Sequence, residues 1–241
     1  MHELCVCHLG VVEYRIAVAL QERIRAAVLE EEQSETLLLL EHPPVYTRGR
    51  RSDDSELPLG EDWYRARGID IVKTDRGGKL TYHGPGQLVG YPIMRIDDVI
   101  SYLRAMEGAI VSALAEEGIR ARTREGREYT GVWVEDRKIA SIGLHVQRGI
   151  TTHGFAINVD NDLAPFDWVT ACGLPGVRMT SIAEETGQTD SLSRFRTTMS
   201  EHFCAAFDHR QVLVAADCFE IDGSPEAAVD EGLLSTYQLK R

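Results

Sequence analysis

The sequence predicts a fold of the α/β class, of the α+β type, in which helices pack on a mixed, largely antiparallel sheet. Two or three long segments carry apolar residues at helical spacing, and shorter strand-like segments lie between them. Three strand-like segments near the middle of the chain follow one another without a helix, which favours antiparallel pairing. The 241 residues show no repeat and no linker, so we predict one domain over 1–241, poorly defined after about 210.

The first half of the chain alternates between apolar runs and segments rich in glycine, proline and charge. Apolar residues from Tyr14 to Val28 recur at three- and four-residue intervals, which predicts an amphipathic helix. The unbroken run TLLLLEH is typical of a strand that is buried on both faces. The predicted elements, in chain order, are a strand over 5–9, a helix over 12–32, a strand over 36–42, an irregular loop over 43–60, a short helix over 62–67 and a strand over 69–74.

The second half contains two further long helices that are separated by strands. Apolar residues recur at helical spacing before Gly118, a residue type that often ends helices. A later helix is predicted from the apolar stripe of Phe195, Met199, Phe203 and Phe207. The predicted elements, in chain order, are a strand over 88–94, a helix over 99–117, strands over 131–135, 138–146 and 152–159, and a helix over 192–207.

Composition and charge argue against several classes of protein. Hydrophobic residues make up 43% and charged residues 27%, as in ordinary soluble proteins, and no apolar run approaches the ~20 residues that span a membrane. The first residues also lack the features of a signal peptide, so we expect a cytoplasmic protein with no membrane partner. The net charge of −12 argues against nucleic acid, and the five cysteines show neither a disulfide framework nor zinc-ligand spacing.

The segment DRGGKLTYHGPGQLVGYP, residues 75–92, concentrates glycine beside basic and aromatic residues. Gly77-Gly78 and Gly84-Pro85-Gly86 bracket the strand-like KLTYH, and glycine permits tight turns and close approach of the backbone to a ligand. Because Arg76, Lys79 and His83 lie in the same stretch, it is a candidate wall of a cleft. The alternative is a purely structural hairpin, and neither a P-loop nor a dinucleotide fingerprint is present.

The segment RKIASIGLHV places a lysine at the start of an otherwise apolar strand. Strict alternation would put Lys138 on the same face as Ala140, Ile142 and Leu144, a face that we expect to be buried. A lysine that faces inward is partly desolvated, which suits it to proton transfer. The alternative is a strand-end lysine whose ammonium extends to water.

The segment TACGLPG places a cysteine in a loop of small residues. A loop position can expose the sulfur of Cys172, whereas Cys204 lies beside Phe203 in a predicted helix and is expected to be packed. A nucleophilic role for Cys172 requires a nearby base or cation that populates its thiolate. The alternative is a buried thiol with no chemical role.

These segments resemble the motif series of the lipoyl(octanoyl) transferases, a family of the biotin/lipoate protein ligase fold group. The matching motifs, in order, are LLLLEHPPVYTRGR, RGGKLTYHGPGQLVGYP, RKIASIGLHV, THGFAINV and ACGLPG, which together cover about 37–173. The resemblance implies a catalytic domain like those of the biotin and lipoate ligases. It also implies transfer of an octanoyl group from octanoyl-acyl carrier protein to a specific lysine of lipoyl domains, the first step of protein lipoylation.

The resemblance also implies the residues of the site. The family's catalytic Cys–Lys pair falls on Cys172, which would carry the octanoyl group as a thioester, and on Lys138. His153 would have a supporting role, and we further expect Tyr91 to line the acyl tunnel. The implied walls of the octanoyl site are Arg76, Gly77, Gly78, Lys79, Leu80, Thr81, Tyr82, His83, Ser141, Ile142, Gly143, Gly154, Phe155 and Ala156. His83 and His153 each have a structural alternative, a satisfied core histidine.

The implied partners are octanoyl-acyl carrier protein and the lipoyl domains of 2-oxoacid dehydrogenase and glycine cleavage proteins. Both substrates are expected to be acidic, so the segment RGRR with Arg76 and Lys79 is a candidate docking patch. No cofactor and no metal are expected. The alternatives are an ATP-dependent lipoate or biotin protein ligase, which needs no nucleophilic cysteine, and a non-enzymatic binding or redox-sensing protein. Cys172 in a glycine loop favours the transferase.

Overall fold

The computed structural model describes residues 2–170 and 176–219, which form two β-sheets with helices packed around them. The strands are β1 (His2–Val11), β2 (Thr36–Glu41), β3 (Val45–Arg48), β4 (Asp70–Lys73), β5 (Leu80–His83), β6 (Gln87–Ile93), β7 (Gly131–Val134), β8 (Arg137–Gln147), β9 (Ile150–Asn158) and β10 (His209–Val214). The helices are α1 (Tyr14–Leu29), α2 (Glu61–Arg65), α3 (Val99–Glu116), α4 (Ala164–Asp167), α5 (Ile182–Thr186) and α6 (Leu192–Ala206).

The larger sheet has seven strands in the order β10-β1-β2-β6-β9-β8-β7. The first three strands of this order are parallel, and every pair from β2 to β7 is antiparallel. The smaller sheet has the order β4-β3-β5, with one parallel and one antiparallel pair. The predicted mixed, largely antiparallel sheet is therefore confirmed.

The helices cover the larger sheet on both faces. Helices α3 and α6 pack on one face, where a cluster that includes Phe155, Met106 and Phe203 forms the main core. Helix α1 packs on the other face and begins where the Glu13 side chain accepts hydrogen bonds from two backbone N–H groups of its first turn. The run TLLLLEH forms β2, and its four leucines have no exposed surface, as the pattern predicts.

The structure differs from the predicted elements in two regions, residues 43–60 and the residues after 160. The loop predicted over 43–60 contains β3, which exists because β4 and β5 pair with it on both sides, a contact that local composition does not reveal. The patterns also fail to predict α4, α5 and β10, since elements this short carry little periodicity. Within the described ranges, none of the helices combines the length and apolar character that crossing a bilayer requires.

Candidate active site

A cavity of about 480 Å³ lies between the smaller sheet and the β8–β9 end of the larger sheet, a volume typical of small-molecule sites. It brings together these residues singled out from the sequence: Arg76, Gly77, Gly78, Lys79, Leu80, Thr81, His83, Tyr91, Lys138, Ser141, Ile142, Gly143, His153, Gly154, Phe155 and Ala156. Tyr82 does not line the cavity, because it packs beneath β5 against Tyr46 and Phe166. Cys172 lies outside the described residues.

The glycine-rich segment is a wall of this cavity because it approaches the strand behind it very closely. The Gly77 N–H donates to the Leu144 carbonyl at 2.8 Å, which attaches the segment to β8. A Cβ atom at Gly143 would lie 2.9 Å from the Gly77 carbonyl oxygen, closer than side chains allow. Gly78 has a φ of 92°, a conformation that favours glycine. The glycines therefore permit a backbone-to-backbone contact beside the cavity.

Most basic residues of the predicted docking patch form hydrogen bonds or ion pairs with other residues of the protein. Arg76 is 7% exposed and donates to the carbonyl and hydroxyl oxygens of Thr47. Arg48 is buried and pairs with Asp54 and Glu61. Lys79 lies within 4 Å of the carboxylates of two acidic residues, Asp53 and Glu56. Only Arg50 and Arg51 of the patch remain exposed, so the predicted patch is wrong in its extent.

Lys138 faces the cavity because of an irregularity in β8. Trp133 is opposite Lys138 and Val132 is opposite Ala140, so Ile139 is an extra residue that forms a β-bulge. The bulge shifts the alternation: Ala140 packs in the main core, and Ile142 and Leu144 pack against that core where it borders the cavity. Lys138 instead lies opposite Trp133 and lines the cavity, with its Nζ 5.4 Å from the centroid of the Trp133 ring. The prediction that these four residues share a face is wrong. The expected burial is correct, since Lys138 is 3% exposed.

The floor of the cavity includes His83 and Tyr91, and His42 lies buried behind Tyr91. His42 donates from Nδ1 to the Val12 carbonyl and accepts the Tyr91 hydroxyl at Nε2, both at 2.7 Å. Burial lowers the pKa of His42 to about 4. His83 donates from Nδ1 to Gln87 at 2.7 Å, and burial lowers its pKa well below its ordinary value. Both histidines are therefore neutral at pH 7.

A second part of the floor joins the glycine-rich segment to β9. The Nε2 atom of His153 donates to Asp75 at 2.8 Å, and this hydrogen bond lowers the pKa of Asp75 to about 2. His153 has a φ of 58°, an uncommon value for a residue with a side chain, and its backbone N–H donates to the buried Gln21 of α1. These contacts fix the ring of His153 against the cavity.

Sequence reasoning missed part of the lining. It assigned Tyr14 to the apolar stripe of α1, although the ring of this residue stacks on His83 with centroids 6.0 Å apart. Arg51, at the cavity mouth, belongs to the predicted segment RGRR. The other residues of the mouth were missed, and they are Val99, Ile100, Leu103, Arg104, Gly126, Arg127, Glu128 and Thr130. The available signal was the pair Val99 and Ile100, two adjacent apolar residues at the start of a helix that can bury only one side.

The solved structures identify the fold. A bi-partite lipoate protein ligase from Thermoplasma acidophilum, described together with its E2 lipoyl domain, superposes with a TM-score of 0.69. The alignment covers 89% of this chain and 88% of that chain at 19% sequence identity, so it shows the fold. The two-sheet architecture around one cavity is thus that of a lipoate protein ligase catalytic domain.

Sequence similarity then gives the family. Residues 13–204 match the lipoyl protein ligase A/B catalytic domain family. An octanoyltransferase of Mycobacterium tuberculosis is 43% identical over 209 residues, 84% of this chain and 86% of the relative. An octanoyltransferase of Geobacter sulfurreducens is 43% identical over 202 residues, 82% of each chain. The chain belongs to the lipoyl protein ligase A/B catalytic domain family, and the predicted family and fold are confirmed.

Proposed function

We propose that this enzyme transfers an octanoyl group from octanoyl-acyl carrier protein to a lysine of lipoyl domains through a thioester on Cys172. The predicted enzyme class, an acyltransferase, is confirmed by relatives that are octanoyltransferases and share 43% identity over more than four-fifths of each chain. The observation that carries the proposed mechanism is a buried lysine, Lys138, in the wall of a cavity of acyl-chain size.

The chain on both sides of the segment that contains Cys172 is attached to the site region. Before the segment, the Thr170 N–H donates to the Glu56 carbonyl at 3.1 Å. After it, the Arg178 carbonyl accepts from the Lys138 N–H at 2.9 Å, and the Thr180 N–H donates to the Lys138 carbonyl. The backbone of the proposed catalytic lysine is thus bonded to residues that follow Cys172 closely, which supports the pairing of the two.

The first half of the reaction needs a thiolate and an acid. The Cys172 thiolate attacks the thioester carbonyl, and collapse of the tetrahedral intermediate breaks the bond to the carrier sulfur. Lys138, protonated while it stabilises the thiolate, gives its proton to the leaving carrier thiolate. The products are octanoyl-Cys172, neutral Lys138 and the free carrier thiol. No ATP is consumed because the thioester is already activated.

The second half needs a base. A free lysine amine is almost fully protonated near pH 7 and is then a poor nucleophile. The incoming ammonium first releases one proton to solvent. Neutral Lys138 then accepts the second proton from the nitrogen as it attacks the octanoyl carbonyl. The amide forms, Cys172 leaves as a thiolate, and the protonated Lys138 stabilises that thiolate again. The enzyme therefore returns to its starting protonation state.

The cavity supplies binding energy for the acyl chain. Apolar side chains such as Leu80 and Phe155 line it together with the buried floor. Burial of six methylene groups at ~0.8 kcal/mol each contributes about 5 kcal/mol. That amount is sufficient to select an octanoyl group over acyl groups that are several carbons shorter.

The second candidate function is an ATP-dependent lipoate protein ligase. The structural likeness to the Thermoplasma acidophilum lipoate protein ligase supports this alternative, but at 19% identity the likeness concerns the fold alone. The octanoyltransferase relatives, which are 43% identical, favour transfer from a thioester. The two functions differ in whether the acyl group arrives as a thioester or as a free acid with ATP.

Intact mass spectrometry tests the proposal. The enzyme is mixed with octanoyl-acyl carrier protein without ATP, beside the variants Cys172→Ser and Lys138→Ala. We expect the wild type to gain one octanoyl group that maps to Cys172 and is lost when a lipoyl domain is added. Cys172→Ser should form no thioester, and Lys138→Ala should lower the transfer rate about 10²–10⁴-fold, the usual contribution of acid–base catalysis.

Two results of this experiment would contradict the proposed function. Absence of an adduct on the wild type, together with transfer that requires ATP and free octanoate, would move the enzyme to the ligases. An adduct on a cysteine other than Cys172 would reject the proposed nucleophile. The matched control for the lysine substitution is Lys73→Ala, at the exposed end of β4, which should keep full activity.

A further inference from the structure

A segment with three arginines lies along the outer edge of the larger sheet. Arg120, Arg122 and Arg124 alternate along this extended segment. Arg122 exchanges two backbone hydrogen bonds of 2.8 Å with Trp133 of β7, the edge strand. The intervening Ala121 packs against the main core. Because successive side chains of an extended chain point to opposite faces, the three arginines face away from that core.

The arginine segment lies at the end of β8 that contains Lys138. Trp133 pairs with Arg122 on one side and is opposite Lys138 on the other. The Arg124 guanidinium carbon is 4.3 Å from the centroid of the Trp133 ring, and the Lys138 Nζ is 5.4 Å from the same centroid. One ring therefore lies beside both cations, which places the segment next to the lysine of the proposed mechanism.

The three arginines line a groove together with Glu135 and Asp136, and we call it the arginine groove. Arg120 and Arg122 are exposed, and neither forms an ion pair with a described residue. Arg124 donates to the Glu135 carbonyl at 2.7 Å. The groove therefore has a net positive charge in a chain whose net charge is −12. A basic groove on an acidic protein indicates an acidic partner.

The acidic residues of the arginine groove indicate the kind of partner. Asp136 pairs with Arg178 at 2.9 Å, so its charge is compensated within the protein. Glu135 is exposed and forms no ion pair with a described residue, so it adds a negative charge beside the arginines. Nucleic acid presents a continuous line of negative charge, which Glu135 would repel. A groove of mixed, mainly positive charge instead complements a protein face that is mainly acidic.

We propose that the arginine groove docks an acidic face of the lipoyl domain and so brings the acceptor lysine to Lys138. The inference rests on the proposed function, because it assumes acyl transfer to a lipoyl domain. A lysine side chain has only a four-carbon stem, so the protein that presents it must contact the enzyme immediately beside the reacting groups. The groove beside Trp133 meets that condition. A carrier whose acyl group is on a long arm has no such requirement.

Charge reversal tests this surface in the second half of the reaction. Octanoyl-enzyme is prepared with a small thioester, octanoyl-N-acetylcysteamine, and the excess thioester is removed. The rate of octanoyl transfer is then measured by mass spectrometry against the concentration of a lipoyl domain. We expect Arg120→Glu/Arg122→Glu to raise the half-saturating concentration about tenfold at low ionic strength, with little change in the maximal rate. The difference should shrink as salt is added, because ions screen exposed charges.

Two controls separate docking from effects on folding and on net charge. Lys73→Glu/Arg148→Glu reverses two exposed basic residues that line neither the cavity nor the arginine groove. This control changes the net charge by the same amount and should leave the half-saturating concentration unchanged. Acylation of the arginine variant by the small thioester shows that the variant is folded.

The outcomes distinguish this inference from the proposed function. If the wild type forms no octanoyl-enzyme, or its octanoyl group does not pass to a lipoyl domain, the proposed function fails. If transfer proceeds with equal half-saturating concentrations in the wild type and the arginine variant, only the docking surface is wrong. If the arginine variant weakens acylation by octanoyl-acyl carrier protein and leaves transfer to the lipoyl domain unchanged, the groove docks the carrier and the inference is overturned.

Discussion

The side chains at and behind the floor of the cavity are polar, yet two of the histidines there, His42 and His83, carry no charge at pH 7. His42 is fully buried between the Val12 carbonyl and the Tyr91 hydroxyl, and both of its ring nitrogens are satisfied. His83 is neutral for the same reason, burial. An apolar group can contact His83 at little cost, because the contact desolvates no charged imidazole.

The lowered pKa of His42 predicts a loss of stability in mild acid. Below about pH 6.5 the unfolded state binds a proton at this residue and the folded state does not, so stability falls as the pH drops towards 4. A shift from 6.5 to about 4 corresponds to about 3 kcal/mol. Urea unfolding of the wild type and His42→Gln at pH 7 and pH 4.5 should show a loss that is about 2 kcal/mol smaller in the variant, since the full difference develops only below pH 4.

Between pH 7 and pH 4.5 the effect of His42 can be measured apart from that of the nearby carboxylate of Asp75. The pKa of Asp75 is lowered to about 2 by its hydrogen bond with His153, so its stabilising effect is lost only below about pH 4. His202→Gln, at a surface position beside Glu116, serves as the control and should follow the wild type. Parallel losses in the wild type and His42→Gln would show that His42 is not the residue responsible.

At the scale of elements, the cavity depends on how closely strands β6, β8 and β9 and the glycine-rich segment approach one another. Gly154 faces the backbone of β6, where a Cβ atom would lie 2.2 Å from the Gly90 carbonyl oxygen. The Phe155 ring covers Gly90 itself, and a Cβ atom at Gly90 would lie 2.1 Å from that ring. The strands can therefore approach this closely only because glycine has no side chain at these two positions.

Two glycine substitutions should have opposite effects on stability. Gly154→Ala forces backbone atoms apart and should lower the free energy of unfolding by about 1–3 kcal/mol, with reduced acylation of Cys172. Gly108→Ala in α3 meets no atom within 4 Å and should raise it by roughly 0.5–1 kcal/mol, because alanine favours helices. Urea unfolding measures both. Equal effects of the two substitutions would contradict the packing described at Gly154.

The sequence predicts the long elements and misses those that depend on distant partners. Helices α1, α3 and α6 have enough turns for an apolar stripe to show, and β2 is a continuous apolar run. Strand β3 lies in a segment rich in proline and charge, and it forms because two strands that follow it pair on both sides. The bulge in β8 likewise depends on register with β7 and has no local signal.

The same contrast applies to the site. The walls were predictable because glycine is concentrated beside basic residues in the segment 75–92 and because the motifs resemble a known family. The mouth was predicted only at Arg51, in the segment RGRR, since Arg127 comes from a loop far along the chain and joins the same cavity only when the chain folds. The docking patch was misplaced because sequence does not show that Arg48 and Arg76 are buried.

At the scale of the whole molecule, the larger sheet is completed by a strand from the far end of the described chain. Strand β10 pairs in parallel with β1, and His209 and Gln211 bond to Glu35 and Ser200. The strand therefore converts β1 from an edge into an interior strand and attaches α6 to the first strand of the chain.

Removal of residues 208–241 should destabilise and aggregate the protein. The truncation leaves the hydrogen-bonding groups of β1 unpaired along an exposed edge, which favours pairing between molecules. Light scattering after size exclusion should show oligomers, and the urea midpoint should fall. Leu213→Gln, a substitution at an exposed position of β10, should leave both unchanged. A monomeric truncated protein with an unchanged midpoint would show that β10 does not stabilise the sheet.

Because Ile139 is an extra residue in β8, the orientation of Lys138 depends on the number of residues in the strand as well as on their types. Substitution of Ile139 by another apolar residue keeps the bulge. Deletion of Ile139 would instead turn the Lys138 side chain towards the main core, although the neighbouring residues of the motif would be unchanged. Alignments that score only identity would then rate the deleted protein as intact. For design, transplanting the lysine into a related scaffold requires copying the spacing from Trp133 together with the residue itself.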